Sequence, residues 1–170
     1  VDFNPDPVGE DIKTTSGGTD SFVSLTTTDF VYENTVVFGG DGADEIARMV
    51  MDDIGDIYLF GLTTSTTIDL DPGPGVDSYW TSPHTVFISK LNNFLLYKWG
   101  RVIEYAGNDE VYTGMDTFAS EFVVFGASID NNLAELAPMG DPCNEPPSLH
   151  GDISHRVAWM AKYMSNGCWL

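Results

Sequence analysis

Blocks of this chain recur at a constant spacing, and a recurrence of that kind restricts the fold to stacked copies of one small unit. Gly42-Ala43-Asp44-Glu45-Ile46 matches Gly107-Asn108-Asp109-Glu110-Val111, a shift of 107 − 42 = 65 residues. The same shift carries Tyr58-Leu59-Phe60-Gly61 onto Val123-Val124-Phe125-Gly126, and Phe22 onto Phe87. Three separated blocks under one shift imply an internal duplication: residues 1–67, residues 68–132, and a partial third copy over residues 133–170.

Each copy opens on an acidic turn. Ile68-Asp69-Leu70-Asp71-Pro72-Gly73-Pro74-Gly75-Val76-Asp77 alternates apolar and acidic residues and then runs into prolines. Alternation predicts a short strand with Ile68 and Leu70 on one face, and proline stops it by removing a ladder donor. Val1-Asp2-Phe3-Asn4-Pro5-Asp6 restates the pattern, and Leu136-Ala137-Pro138-Met139-Gly140-Asp141 is a degraded version.

The stretches between these turns read as strands. Ser21-Phe22-Val23-Ser24-Leu25 and Thr35-Val36-Val37-Phe38 are short and rich in strand formers, and the second stops at Gly39-Gly40. Ala47 to Met51 and Ile57-Tyr58-Leu59-Phe60-Gly61 flank a tight acidic turn, Asp52-Asp53-Ile54-Gly55-Asp56. Val86 to Leu91 and Phe94-Leu95-Leu96-Tyr97-Lys98-Trp99 predict the matching pair in the second copy. In the third copy, Val157 to Tyr163 and the residues after Asn166-Gly167 predict a hairpin. The expected fold class is all-β and antiparallel.

Charge narrows the partners. Seven Lys and Arg against 26 Asp and Glu leave a net charge of −19, which repels nucleic acid and anionic membrane surfaces. No apolar run reaches the roughly 18 residues of a membrane-spanning helix. The N-terminus carries neither the features of a signal peptide nor an initiating Met, so a mature or excised piece is expected. The partners predicted are cations, neutral surfaces and further copies of the chain.

Candidate chemistry concentrates in the acidic turns. Asp69, Asp71 and Asp77 could supply the oxygen ligands calcium prefers, and Asp2, Asn4, Asp6 and Asp11 form a similar set. The competing reading is a solvated turn whose Asp side chains bond the local backbone. Cys143 and Cys168 are candidates for a disulfide closing a C-terminal loop, against two buried thiols. His84, His150 and His155 match no zinc or hydrolase spacing, and pairs such as Asp52-Asp53 are expected in so acidic a chain. Trp80, Trp99, Trp159 and Trp169 are expected mainly in the core, with a glycan-stacking platform as the alternative. The Thr-rich runs at residues 26–28 and 63–67 are expected on exposed strand faces or loops.

The ordered set of an Asp-Pro-Gly-Pro-Gly turn, a Phe-Ile-Ser-Lys-Leu strand, an Asn-Gly hairpin, a Gly-x-Asp-Glu block and an Ile-Tyr-Leu-Phe-Gly strand resembles the bacterial SBBP-type beta-propeller repeat of secreted and cell-surface proteins. The resemblance implies propeller-blade-like sheets and an extracellular or cell-surface location, and it carries no catalytic site. Propellers close with about four to eight four-stranded blades, whereas two and a half copies supply roughly ten strands. The expectation is therefore a non-enzymatic structural or adhesive protein that assembles as a homo-oligomer or filament by edge-strand pairing, with calcium as the candidate cofactor. The alternative is a ligand-binding (glycan or calcium) or enzymatic fragment of a larger secreted protein.

Overall fold

The computed structural model describes residues 1–82, 85–103, 114–118, 121–128 and 157–168. Those residues form eleven strands and no helix: β1 (Ser21–Thr26), β2 (Tyr32–Gly40), β3 (Asp44–Met51), β4 (Ile57–Thr63), β5 (Thr67–Asp69), β6 (Ser78–Trp80), β7 (Thr85–Leu91), β8 (Tyr97–Ile103), β9 (Gly114–Phe118), β10 (Glu121–Ser128) and β11 (Val157–Met164). Their pairing is antiparallel throughout, in sheets of order β1-β2-β5-β6, β3-β4-β7-β8 and β11-β10-β9. The expected all-β antiparallel class is observed.

Four turns share one geometry. In each, the first residue donates its N–H to the carbonyl of the fifth: Thr27 to Val31, Asp52 to Asp56 and Asn92 to Leu96 at 2.9 Å, and Met164 to Cys168 at 2.8 Å. The fourth residue is left-handed in every case, with φ of 61° at Phe30, 88° at Gly55, 61° at Leu95 and 83° at Gly167. This is the three-residue hairpin loop that ends in a left-handed residue. Side-chain oxygens hold it together. Asp52 Oδ1 accepts the N–H groups of Ile54 and Asp56, and Asn92 Oδ1 accepts those of Phe94 and Leu96.

The β3-β4-β7-β8 sheet is the centre of the molecule, because both of its faces are covered. On one face Tyr58, Phe60, Val86, Ile88 and Ile103 are buried together, with Trp99 and Met115 packed against them. On the other, Ile57, Leu59 and Leu91 meet Val36 and Phe38 of β2, while Phe87 and Val102 meet Ile68 and Leu70. A strand covered on both faces needs apolar residues without alternation, and β7 is buried along its whole length.

Several expectations are corrected. Residues 94–96 are not strand: they belong to the loop that Asn92 closes, and β8 begins at Tyr97. The predicted strand at Val1 and Phe3 is reduced to a single bridge between Asp2 and Ile12, since proline at residues 5 and 7 ends it. Thr63 and Ser65 are buried, not exposed, because both lie among the hydrogen bonds that hold the start of β3. Trp80 is 78% exposed, outside the core, in the edge strand β6. The expected Gly107 to Val111 block, the degraded turn at residues 136–141, Trp169 and all three histidines lie outside the described residues.

Candidate site in the acidic loops and along the β1 edge

The two acidic turns are built alike. Asp69 Oδ1 accepts the N–H groups of Asp71 at 3.0 Å and Asp77 at 2.8 Å, and Leu70 N–H donates to the Asp77 carbonyl at 3.0 Å. Asp2 Oδ1 likewise accepts from Asn4 at 3.1 Å and Asp11 at 2.9 Å, and Phe3 N–H donates to the Asp11 carbonyl at 3.0 Å. Further bonds stiffen each loop: Asp71 Oδ1 accepts from Gly73, Asn4 Oδ1 from Asp6, and Asp6 Oδ1 from Val8. Asp and Asn favour such turns because a short side-chain acceptor can stand in for a backbone carbonyl.

A tyrosine closes each loop. Asp77 Oδ2 accepts the hydroxyls of Tyr97 and Tyr79, and Asp11 Oδ2 accepts that of Tyr32. Tyr32 and Tyr97 are themselves 97 − 32 = 65 residues apart, so the duplicated spacing contained these partners although carboxylate spacing alone did not point to them. Burial, and then Asp77, pushes the Tyr97 hydroxyl well above the ordinary tyrosine range, and the Tyr79 hydroxyl shifts the same way for the same reasons. Asp11 is lowered by its bonds to Lys13 and Tyr32; the Lys13 ammonium lies 2.8 Å away.

Because the Tyr97 pKa is raised, the stability it confers is fully present below pH 10.0, the ordinary tyrosine value, and is lost as pH rises through the folded-state value. Tyr97→Phe leaves Asp77 short of a donor and should lower stability by about 1–3 kcal/mol. Urea titrations at neutral pH and above pH 10.0 check both effects: the variant should start less stable and lose less over that alkaline interval.

Among the other carboxylates singled out, Asp52 is buried and also accepts the Tyr58 hydroxyl at 3.1 Å, while Asp53 is exposed. Asp44, in the Gly-x-Asp-Glu block, is 3% exposed and accepts from Gly40 N–H at 2.7 Å and from the Ser65 hydroxyl. Cys168 is buried and disulfide-bonded; Cys143 lies outside the described residues. Among the described residues, no three His, Cys, Asp or Glu side chains converge as a metal-holding group.

The remaining concave feature follows β1, the edge strand of its sheet. A groove of about 390 Å³ is lined by Ser21, Phe22, Val23 and Ser24 on one side and by Ile46 and Met49 of β3 on the other. Phe22 is 56% exposed and Met49 59% exposed there, and the inner side of the Phe22 ring rests on Phe3 at 4.6 Å between centroids. No family model matches this chain, and no curated protein or solved structure matches it.

Proposed function

We propose that this chain is a non-enzymatic structural or adhesive subunit of an extracellular or cell-surface assembly, built of propeller-blade-like repeats that pair strands with further copies. One observation carries the reading: sheets here are shared between consecutive copies of the sequence unit. Strand β4, from residues 1–67, pairs with β7, from residues 68–132, and β10 pairs with β11 across the next boundary. The β1–β2 hairpin, which corresponds to β7–β8, has no such partner strand on β1. An unpaired edge with apolar residues beside it favours pairing with another chain.

Calcium belongs to this proposal as a ligand of the acidic loops. The loops keep carboxylate oxygens beyond those that hold the backbone: Asp69 and Asp71 use Oδ1 for the turn, which leaves Oδ2 of each for an ion. Calcium bound only to the folded state raises the melting temperature by mass action, and screening of the −19 charge lowers repulsion between copies. Sedimentation velocity at micromolar protein, with and without millimolar calcium, should show association that calcium strengthens. A compact monomer under both conditions overturns the assembly reading, and an unchanged melting temperature removes calcium from it.

A glycan-binding reading is favoured by one observation, the exposure of Trp80 beside the half-buried Tyr79 in β6. An exposed ring can stack on a sugar face. Quenching or a shift of tryptophan emission on oligosaccharide titration, absent in Trp80→Ala, would favour it over assembly.

A further inference from the structure

The β4–β7 pair shows what an edge of the β1 type is shaped to receive. In that pair Gly61 stands directly opposite Phe87, in register with Leu59 opposite Ser89. The glycine is required: a Cβ at residue 61 would lie 2.1 Å from Phe87 Cζ, so the ring crosses the space a side chain would fill. Phe87 is thereby fully buried, in a cluster with Ile68, Leu70 and Val102. The β10–β11 pair repeats the register, with Gly126 opposite Trp159. Glycine on one strand and a large aromatic on the other thus mark both junctions.

Strand β1 carries the aromatic half of such a junction without its glycine. Phe22 lies 87 − 22 = 65 residues before Phe87 and has the same inner support, since Phe3 backs it as Leu70 backs Phe87. Ser24 corresponds in the same way to Ser89. The one difference is the outer side: Phe87 is covered and Phe22 is 56% exposed beside the groove.

We infer that the β1 edge is the acceptor site of the assembly proposed above, and that its occupant is strand β10 of a second copy, with Gly126 opposite Phe22 and Val124 opposite Ser24. This inference rests on that functional reading and deepens it by naming the site and its register. Strand β10 is selected over β4 because β4 lies inside the doubly covered central sheet, whereas β10 belongs to the three-stranded sheet and pairs at its outer side with β11. In the complex, β1 of the receiving copy takes the position that β11 holds within one copy. Exchange of one ladder for another is a low-cost route to association, and here it adds the burial of Phe22 and Met49. A head-to-tail contact of this kind, which does not close on itself, propagates as a filament.

The test uses the full chain and two synthetic peptides: residues 121–128, Glu-Phe-Val-Val-Phe-Gly-Ala-Ser, and the same peptide with Gly126→Val. Association is followed by sedimentation velocity for the wild-type chain and for Phe22→Asp, and peptide binding by fluorescence anisotropy of labelled peptide. The expected result is that the wild-type chain associates and Phe22→Asp remains monomeric. The glycine peptide should bind and dissociate the wild-type assemblies, and the valine peptide should bind at least tenfold more weakly. The peptide arm uses unaltered protein, so it decides the matter even if Phe22→Asp folds poorly. Association of a folded Phe22→Asp chain equal to wild type, or equal binding of the two peptides, overturns this site and leaves assembly by another surface standing. A wild-type chain that stays monomeric overturns the assembly reading itself, and the second copy as occupant with it.

Discussion

Gly61→Ala should lower the stability of this protein by about 3 kcal/mol, at the upper end of what overpacking costs a well-packed interior. The added Cβ meets Phe87 Cζ at 2.1 Å and the Glu45 carbonyl oxygen at 2.5 Å. Neither neighbour yields easily. Phe87 is fully buried among Ile68, Leu70 and Val102, and Glu45 is held in the β3–β4 ladder opposite Leu62. For a chain of 170 residues a loss of that size lowers the melting temperature by about 6–12 °C. Calorimetry checks it, and the double variant Gly61→Ala with Phe87→Leu separates the two clashes. If the ring is the main obstacle, the double variant should recover part of what the sum of the single losses predicts, because contacting residues are energetically coupled.

Lys90→Met should be comparably damaging, although methionine is apolar and β7 is otherwise an apolar environment. Lys90 is 4% exposed and its ammonium lies 2.8 Å from Asp56, which is 5% exposed. The same ammonium donates to the Ser165 carbonyl at 3.0 Å and sits 4.6 Å from the centroid of the Tyr58 ring. Removing it leaves Asp56 with Lys98, a partner on a much more exposed side chain, and leaves the Ser165 carbonyl with only the Trp99 indole N–H at 3.1 Å. Breaking one side of a buried ion pair costs about 3–5 kcal/mol, because the other charge stays buried and under-compensated. Thermal or urea unfolding should register that loss, and replacing both members with Lys90→Met and Asp56→Leu should be less harmful than Lys90→Met alone.

The pH dependence of this pair follows from Asp56. Burial raises its pKa, but the hydrogen bonds and charges of Lys90 and Lys98 outweigh burial, and the net shift is downward from 3.8. Its stabilising contribution is therefore present above pH 3.8 and is lost as pH falls through the lower folded-state value. In Asp56→Asn the decline in stability below pH 3.8 should be shallower than in the wild type, measured as urea midpoint against pH.

The strands themselves were largely legible in the residues, because each states its pattern locally. Runs such as Val86 to Leu91 and Ile57 to Gly61 combine β-branched and aromatic residues, and Asp52 to Asp56 and Asn166-Gly167 carry the side-chain acceptor and the glycine that a tight hairpin uses. The loop at residues 92–96 was not legible in the same way. Its left-handed position is Leu95, where glycine would normally signal it, and Asn92 meets the conformational cost by accepting two amide N–H groups at 2.9 Å each.

Other features depend on residues far apart in the chain. That β4 pairs with β7, past the intervening β5–β6 hairpin, follows from the need to cover both faces of the central sheet, and no local pattern encodes it. The carboxylates of Asp69 and Asp77 read equally well as ion ligands or as loop braces from spacing alone; the turn amides and the Tyr97 hydroxyl give them their structural role. Lys90 in an apolar strand is intelligible only with Asp56 and Ser165 beside it, and Phe22 is exposed while its counterpart Phe87 is buried because only one of them has a strand across from it. The sequence alone determined backbone preference, strand by strand, since propensity and turn chemistry act over a few residues; the tertiary structure decided pairing, burial and the partner of each charge, since those depend on which groups long-range packing brings within a few ångströms.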